Sequence, residues 1–300
     1  MNDRLWEDYA NFHGIQTYSL DMDPIYPILQ EFNSDLSVER GLWLTFLYVS
    51  YYNLGSALRV FSIYQEPVVP PEQLLKLPCG TERRGHRTPL RLAMHLDSIC
   101  VKAEKHGGLH PWISSFIVEG DPIASWKSVN AELQTVWGNG RWAAYKTCEI
   151  LWKCNGFPLA APDMGHENSS GPRHGLSLLY GNNLPTGNTP GEIEHLDGLS
   201  LDVVGFLQER GLTAAIETAE TSLCDFHALH EGRYYSGINI DEIQEALNKI
   251  PSDLTFWAFS ARQKRFPHEY LGEISGWDSV DKARKEIYRK TRQIPEREKL

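Results

Sequence analysis

Apolar residues recur every three or four positions along most of the chain, the spacing that places them on one face of an α-helix. The pattern covers nine segments, at residues 24–33, 41–64, 89–104, 122–136, 141–153, 200–210, 213–229, 240–249 and 279–290. Ser37 lies three residues before Arg40 and is typical of a helix N-cap. Strand-like alternation is scarce, and the best candidate, residues 111–118 (PWISSFIV), is short. The sequence therefore predicts a mainly α fold, built as a single helical domain.

Two segments depart from the amphipathic pattern. Residues 155–191 are rich in glycine and proline, and so long an irregular segment inside a compact domain is usually functional or disordered. Its histidines, acids and arginine favour a function. Residues 41–58 contain no charged residue and are long enough to suggest a membrane span. Their hydroxyl and amide side chains and three tyrosines favour a buried helix instead.

The charge of the chain is unevenly distributed. The formal net charge of the 300 residues is −10, which argues against a protein that coats DNA through broad positive potential. Residues 192–231 contain nine acids and one arginine, whereas residues 282–300 contain eight bases and three acids. Positive charge is therefore local, which suits one anionic ligand site and one edge that faces a polyanion. We expect an N-terminal extension (1–40), a main helical domain (41–250) and a basic C-terminal helical extension (251–300).

The five cysteines are scattered and odd in number, and the N-terminus lacks the apolar run of a secretory signal. We therefore expect a reduced cytoplasmic protein. The cysteines show no zinc-type spacing, so we expect no metal site formed by them.

Positive charge is concentrated in residues 79–91 (CGTERRGHRTPLR). Four arginines and His86 stand there against a single acid, Glu82. Arginine presents a planar fork of donors that matches phosphate oxygens two at a time. The stretch predicts an anion site. The alternative is a solvated basic loop whose positive charge offsets that of the acidic segments of the chain.

Residues 131–153 resemble a helix-hairpin-helix, with Gly138-Asn139-Gly140 between two helical patterns. In such a motif the glycines permit a tight turn and offer backbone N–H groups to a DNA phosphate. Ala144 would allow the helices to approach closely. Trp137 stands where the motif usually has a proline. The alternative is an ordinary helix end followed by another helix.

Four stretches together resemble one family, the phage amino acid:DNA transferases, also called α-glutamyl/putrescinyl-thymine pyrophosphorylases. The stretches span roughly residues 43–242. They are WLTFLYVSYYNLGSALRVF (43–61), GTERRGHR (80–87), WGNGRWAAYKTCEIL with SGPRHGLSLLYG (137–151 and 170–181), and ETAETSLCDFHALHEGRYYSGINIDE (217–242). The resemblance implies a helical domain similar to that of DNA glycosylases, which agrees with the helix-hairpin-helix interpretation.

The resemblance also implies a reaction. Members of the family act on DNA whose thymine replacement carries a 5-pyrophosphoryloxymethyl group, and they replace the pyrophosphate with an amino acid or a polyamine. No cofactor is implied, although magnesium could accompany the pyrophosphate. The residues expected to bind the pyrophosphate are Arg83, Arg84, Arg87, Arg173 and His174.

The same resemblance suggests where the other parts of the reaction take place. An attacking amine must lose a proton, and the candidate acceptors are Asp163, His166 and Glu220. Asp163 follows the hairpin as the catalytic aspartate of glycosylases does, although an aspartate there could also be a turn residue. The target base must leave the duplex to enter a helical pocket. The residues expected to form the base or amine pocket are Tyr48, Tyr51, Tyr52, Asp225, Arg233 and Tyr234. Those expected to contact the DNA backbone are Gly138, Asn139, Gly140, Arg141 and Lys146.

Two other functions fit parts of the pattern. A helix-hairpin-helix glycosylase acting on a modified base would produce abasic sites, but gives no special reason for the arginine stretch. A non-catalytic helical DNA-binding protein would tolerate the loss of the Asp163 carboxylate. We expect double-stranded DNA and an amine as partners, no membrane, and a location in the cytoplasm of an infected bacterial host.

Overall fold

The computed structural model describes residues 3–81, 86, 88–181, 183–267, 288–289, 291 and 293–295. The described residues form helices joined by turns and contain no strand, so the prediction of a mainly α fold is confirmed. The helices are α1 (Asp3–Ser19), α2 (Ile25–Asp35), α3 (Val38–Tyr51), α4 (Leu54–Phe61), α5 (Glu72–Leu75), α6 (Pro89–His106), α7 (Leu109–Ser114), α8 (Pro122–Gln134), α9 (Arg141–Asn155), α10 (Ser170–Tyr180), α11 (Pro190–Glu209), α12 (Ile216–His230), α13 (Ile238–Lys249) and α14 (Thr255–Arg265).

The chain divides into two compact units, each built from separate stretches of sequence. The first unit comprises Met1–Pro24, Ala161–Asp241 and Phe266–Leu300, and the second comprises Ile25–Ala160 and Glu242–Arg265. This division differs from the expected boundaries after residues 40 and 250. The expected domains 1–40, 41–250 and 251–300 stay a prediction.

The first unit is held together around α12. Helix α1 is bound to α12 by buried polar contacts, since Ser222 Oγ lies 2.7 Å from Tyr9 Oη and 2.9 Å from His13 Nδ1. Helix α10 approaches α12 so closely that a Cβ at Gly175 would lie 2.5 Å from the Leu223 carbonyl oxygen. Residues 155–191, predicted as irregular, therefore contain a helix whose glycines serve its packing.

The second unit is organised around α3, in which every residue from Gly41 to Tyr51 is buried. Ser37 caps this helix by accepting a hydrogen bond from the Arg40 N–H, as predicted. The helix ends at Tyr52, which adopts a left-handed conformation with φ +46°, and Asn53 caps the next helix. The apolar stretch 41–58 is thus two buried helices. Residues 111–118, the strand candidate, lie in α7 and the turn after it.

Within the described ranges, no helix combines the length and the apolar character that crossing a membrane requires.

Candidate functional site

In the second unit, the turn between α8 and α9 places two exposed glycines at the start of α9. Gly138 has φ +79°, a conformation that favours glycine, and Gly140 is the extended N-cap residue of α9. The Asn139 side chain donates to the Leu133 carbonyl oxygen at 3.0 Å and so braces the turn. Among the described residues, no acceptor is bonded to the N–H of Gly138 or Gly140. Such N–H groups at a helix N-terminus can bind an anion.

Below this turn lies His86, the histidine of the arginine stretch. Its ring is buried, and a Cβ on Gly138 would come within 2.5 Å of its Nε2. On its other side the ring lies 4.2 Å from the ring of His95. His95 Nδ1 donates to the Trp137 carbonyl oxygen at 2.7 Å, and its Nε2 lies 3.1 Å from Ser50 Oγ. The glycine turn therefore rests on His86, whose ring is in contact with that of His95.

The first residues of the arginine stretch are bound to the end of α3. Gly80 donates its N–H to the Tyr51 carbonyl oxygen at 2.8 Å, and any side chain at Gly80 would collide with the Tyr52 carbonyl oxygen. Cys79 Sγ lies 3.8 Å from the His86 carbonyl oxygen. Arg83, Arg84 and Arg87, the predicted pyrophosphate ligands, lie outside the described residues.

Aromatic rings line the same part of the second unit. Tyr52 is partly exposed, and its ring meets the ring of Trp142 edge-on at 4.7 Å and the ring of Tyr48 at 5.3 Å. Tyr48 is largely buried beneath it. Tyr51 differs from the prediction, because its side chain is fully buried and its hydroxyl donates to the Leu74 carbonyl oxygen at 3.1 Å. It is a core residue, whereas Tyr52 and Trp142 can offer ring surface to a base.

The two basic residues predicted to contact DNA have different environments. Arg141, at the start of α9, is partly exposed, with its guanidinium 5.1 Å from the centre of the Tyr145 ring. Lys146 is buried, and its ammonium is 2.6 Å from the Glu149 carboxylate and 3.1 Å from the Tyr26 hydroxyl. The prediction of a DNA contact for Lys146 disagrees with this position, because its charge is neutralised inside the unit.

The first unit contains a network of polar side chains, which we call the acid cluster: Gln16, Asp21 and Tyr234, which are buried, and Asp225, which is partly buried. The Gln16 amide donates to Asp225 Oδ2 at 2.7 Å and lies 3.0 Å from the Tyr234 hydroxyl. That hydroxyl donates to Asp21, which also accepts from the Gly237 N–H at 2.7 Å. These bonds link α1, α12 and the segment that follows α12.

The acid cluster changes the ionisation of its members. Burial raises the pKa of Asp225 well above its ordinary value, and the nearby carboxylates of Asp21, Asp23 and Glu220 reinforce the shift. Burial also raises the pKa of Tyr234, reinforced by Asp21. A carboxyl with a raised pKa is a stronger base once ionised, so Asp225 can exchange a proton at a higher pH than an exposed aspartate.

The three predicted proton acceptors lie in the first unit, in different surroundings. Asp163 accepts a hydrogen bond from the Gly165 N–H at 2.7 Å, the contact of a turn-forming aspartate. His166 is buried with Nε2 2.8 Å from Ser200 Oγ on α11, an arrangement typical of a structural histidine. Glu220 is partly exposed, 3.4 Å from Ser169 Oγ, and its charge acts on Asp225. Of the three, Glu220 has the best-supported connection to the acid cluster.

The predicted anion ligands of the first unit have local partners. The Arg173 guanidinium donates to the carbonyl oxygens of Thr186 and Gly187, at 3.2 and 3.0 Å, so it braces a loop and gives no support for pyrophosphate binding. His174 is exposed, with its ring 4.8 Å from that of His227. Arg233 is exposed and paired with Glu231. Its charge remains accessible to a ligand.

Sequence reasoning did not identify Gln16 and Asp21. Gln16 lies on the buried face of α1, four residues after Phe12 and three after His13. An amide at such a position in an apolar stripe is the signal that could have identified it. Asp21 lies in the turn after α1, and its role depends on the folding of residues 234–240 around it. That long-range contact leaves no pattern in the sequence near Asp21.

Comparison with known proteins identifies a family. No curated protein matches the chain. The family model described as amino acid:DNA transferase matches residues 73–235, which is more than half of the chain. The matched region includes the arginine stretch, the glycine turn and α12. The name of the family describes a transferase that acts on DNA and amino acids. The chain belongs to the amino acid:DNA transferase family.

Proposed function

We propose that this protein hypermodifies thymine in DNA, replacing the pyrophosphate of 5-pyrophosphoryloxymethyl-deoxyuridine with an amine, either an amino acid or a polyamine. The family match supports the transfer of an amino acid to DNA. The leaving group and the polyamine alternative are our extension, supported by the clustering of arginines in residues 79–91.

The reaction balances as a substitution at carbon. The amine nitrogen forms a bond to the methylene carbon on C5 of the base, and the bond from that carbon to the pyrophosphate oxygen breaks. The electron pair leaves with the pyrophosphate, and the proton of the amine passes to a carboxylate. Glu220 and Asp163 are the acceptors that the family resemblance suggests. His166 is a weaker candidate because its imidazole is bonded to Ser200.

The observation that carries the proposal is the packing of His86 beneath Gly138. Gly80 is bound to the end of α3, and His86 lies at the glycine turn. Arg83 and Arg84 fall between these two fixed points in the sequence, each no more than three residues from one of them, or about 10 Å of extended chain. This supports a role for their guanidinium groups near the exposed N–H groups of the turn, where they would stabilise the charge of the leaving pyrophosphate.

The surroundings of the turn support binding of an unpaired base. Tyr52 and Trp142 offer ring surface, and stacking on aromatic side chains accepts any base. The N–H groups of Gly138 and Gly140 would hold a backbone phosphate, as in a helix-hairpin-helix. The target base would turn out of the duplex for its substituent to reach the arginines.

A transfer assay tests this proposal. Duplex DNA containing the pyrophosphorylated base is incubated with the protein and a panel of amino acids and polyamines, and the digested nucleosides are analysed by mass. We expect an amine-substituted nucleoside and free pyrophosphate. Unchanged DNA with every amine would contradict the proposal, and abasic sites would indicate a glycosylase. Adding a chelator reports whether magnesium assists.

The variant Arg84→Ala isolates the role of the arginine stretch. Removing one charge-stabilising contact should raise the barrier by about 2–4 kcal/mol, a loss of roughly 30- to 1000-fold in rate. Arg91→Ala is the matched control, because Arg91 belongs to the same basic stretch but is exposed on α6. Equal losses in both variants would show that the stretch acts only through its overall charge.

A further inference from the structure

The acid cluster of the first unit contains two hydrogen-bond acceptors without donors. Gln16 is fully buried, and its Oε1 has no hydrogen-bond partner among the described residues. Asp225 is partly buried, and within the same described set it accepts a hydrogen bond only from Gln16, through Oδ2, so its Oδ1 has no protein donor. Both free oxygens flank one 2.7 Å contact, that between Gln16 Nε2 and Asp225 Oδ2.

A buried acceptor without a donor, such as Gln16 Oε1, is costly in a folded protein. Buried polar groups are nearly always hydrogen-bonded, and an unsatisfied one usually marks a functional site or a missing partner. Here both unsatisfied atoms are acceptors, so the missing partner is a donor. The carboxylates of Asp21, Asp23 and Glu220 act on Asp225, so the donor that fits best is positively charged. A primary ammonium group has three N–H donors and one positive charge.

We propose that Asp225 and Gln16 bind the ammonium group of the acceptor amine, and that Asp225, rather than Glu220 or Asp163, takes its proton. The inference depends on the proposed function for the identity of the ligand as the amine that is transferred. In the proton step an N–H bond of the ammonium breaks and an O–H bond forms on Asp225. The nitrogen keeps the electron pair and becomes able to attack. Asp21 acts as a positioning residue, because it holds Tyr234, whose hydroxyl lies 3.0 Å from the Gln16 amide nitrogen.

The charged groups around Asp225 predict how binding depends on pH. Asp21 and Asp23 face it from the turn after α1, Glu220 from one turn earlier on α12, and Tyr234 from the segment after α12. All the carboxylates favour a cation when ionised. A protonated Asp225 cannot attract one, so amine affinity should increase as pH rises through the raised pKa of Asp225.

The test measures amine binding by titration calorimetry in the absence of DNA. The probes are putrescine, glycine and glutamate, and glutarate serves as the amine-free counterpart of glutamate. We expect at least one amine to bind, glutarate not to bind, and the affinity to fall at least about tenfold in Asp225→Asn and in Gln16→Met. Asp202→Asn is the matched control, because Asp202 is an exposed aspartate on α11 of the same unit. It should bind like the original protein.

The outcomes separate this inference from the proposed function. If no probe binds, or if Asp225→Asn binds normally, the assignment of the amine site is overturned. Transfer activity that survives in Asp225→Asn would overturn it too, while leaving the proposed function intact. Amine binding that depends on Asp225 without any transfer to the pyrophosphorylated DNA would support the site and contradict the proposed function. Thermal unfolding of each variant shows that a loss of binding is not a loss of fold.

Discussion

The glycine turn of the second unit and the acid cluster of the first unit satisfy their polar groups in opposite ways. Beside the turn, both ring nitrogens of His95 have partners, and on α9 the buried Lys146 is paired with Glu149. In the acid cluster, oxygens of Gln16 and Asp225 lack donors among the described residues, and the pKa of Asp225 is raised. The paired side chains stabilise the fold of the second unit. The acid cluster keeps an unsatisfied acceptor, whose energetic cost a bound donor can relieve.

This difference indicates how each region would function. The turn presents backbone N–H groups and rings whose positions are fixed by packing, which suits recognition of a repeating phosphate backbone. The acid cluster has acceptor oxygens without donors among the described residues, an arrangement that suits a small cation with N–H groups. Mutations of the paired side chains or of the glycine turn should therefore destabilise the second unit. A mutation in the acid cluster can stabilise the first unit at the expense of function.

The largest effect should come from Lys146→Met. Its ammonium and the Glu149 carboxylate are both buried, at 9% and 3% side-chain exposure, so the substitution removes one member of a buried ion pair. We expect a loss of about 3–5 kcal/mol in the free energy of unfolding, measured by urea titration. Much of it should return in Lys146→Met/Glu149→Leu. Lys127→Met, on the exposed face of α8, is the control. Unchanged stability together with a weaker salt dependence of DNA binding would instead support the predicted contact of Lys146 with a DNA phosphate.

The next largest effect distinguishes the two glycines of the turn. Gly138→Ala adds a side chain at φ +79° and places it 2.5 Å from His86 Nε2. Left-handed strain and overpacking together should cost about 2–4 kcal/mol. Gly140→Ala meets nothing within 4 Å and should cost less than about 1 kcal/mol, the effect of a poorer N-cap. Similar unfolding midpoints for the two variants would mean that His86 does not support the turn.

Asp225→Asn should act in the opposite direction. The folded pKa of Asp225 is raised above its ordinary value of 3.8, so the folded protein loses stability as pH rises from that value through the folded pKa. Asparagine cannot ionise and avoids this loss. We expect the variant to be more stable near neutral pH by about 0.5–2 kcal/mol, a typical gain when a functional site is neutralised. The gain should vanish in acid, as measured by urea unfolding across pH. A variant that is less stable at neutral pH would show that the ionised carboxylate has a partner.

Much of the fold could be predicted because the apolar spacing of an amphipathic helix is visible within a short stretch of sequence. The segments 89–104, 122–136 and 141–153 correspond closely to α6, α8 and α9. Helix α10 escaped prediction because Gly171 and Gly175 appeared to mark a loop. The structure shows that α12 leaves no room for a Cβ at either position. A requirement set by a distant helix cannot be recognised in a local pattern.

The candidate site could be predicted only in part, for a related reason. The glycine turn is one continuous stretch of sequence, and its pattern was visible. The acid cluster joins residues about 200 positions apart, Gln16 with Asp225 and Asp21 with Tyr234. Asp225 and Tyr234 were predicted for the pocket from the family resemblance, whereas Gln16 and Asp21 were not. Lys146 was assigned to DNA by its charge, because burial beside Glu149 depends on the packing of α9 in the folded unit.

The smallest effect on stability should come from Arg233→Ala, which nevertheless sharpens the comparison at the acid cluster. Arg233 is exposed and paired at the surface with Glu231, so its removal should leave the unfolding midpoint unchanged. If it binds the carboxylate of an amino-acid substrate, the apparent KM for glutamate should rise while that for putrescine, which has no carboxylate, stays constant. The Arg233→Lys variant keeps the charge but loses the planar fork, and should give an intermediate KM. Equal changes in the KM for both amines would show that Arg233 does not bind the carboxylate. The acid cluster would then recognise the ammonium group without a contribution from Arg233.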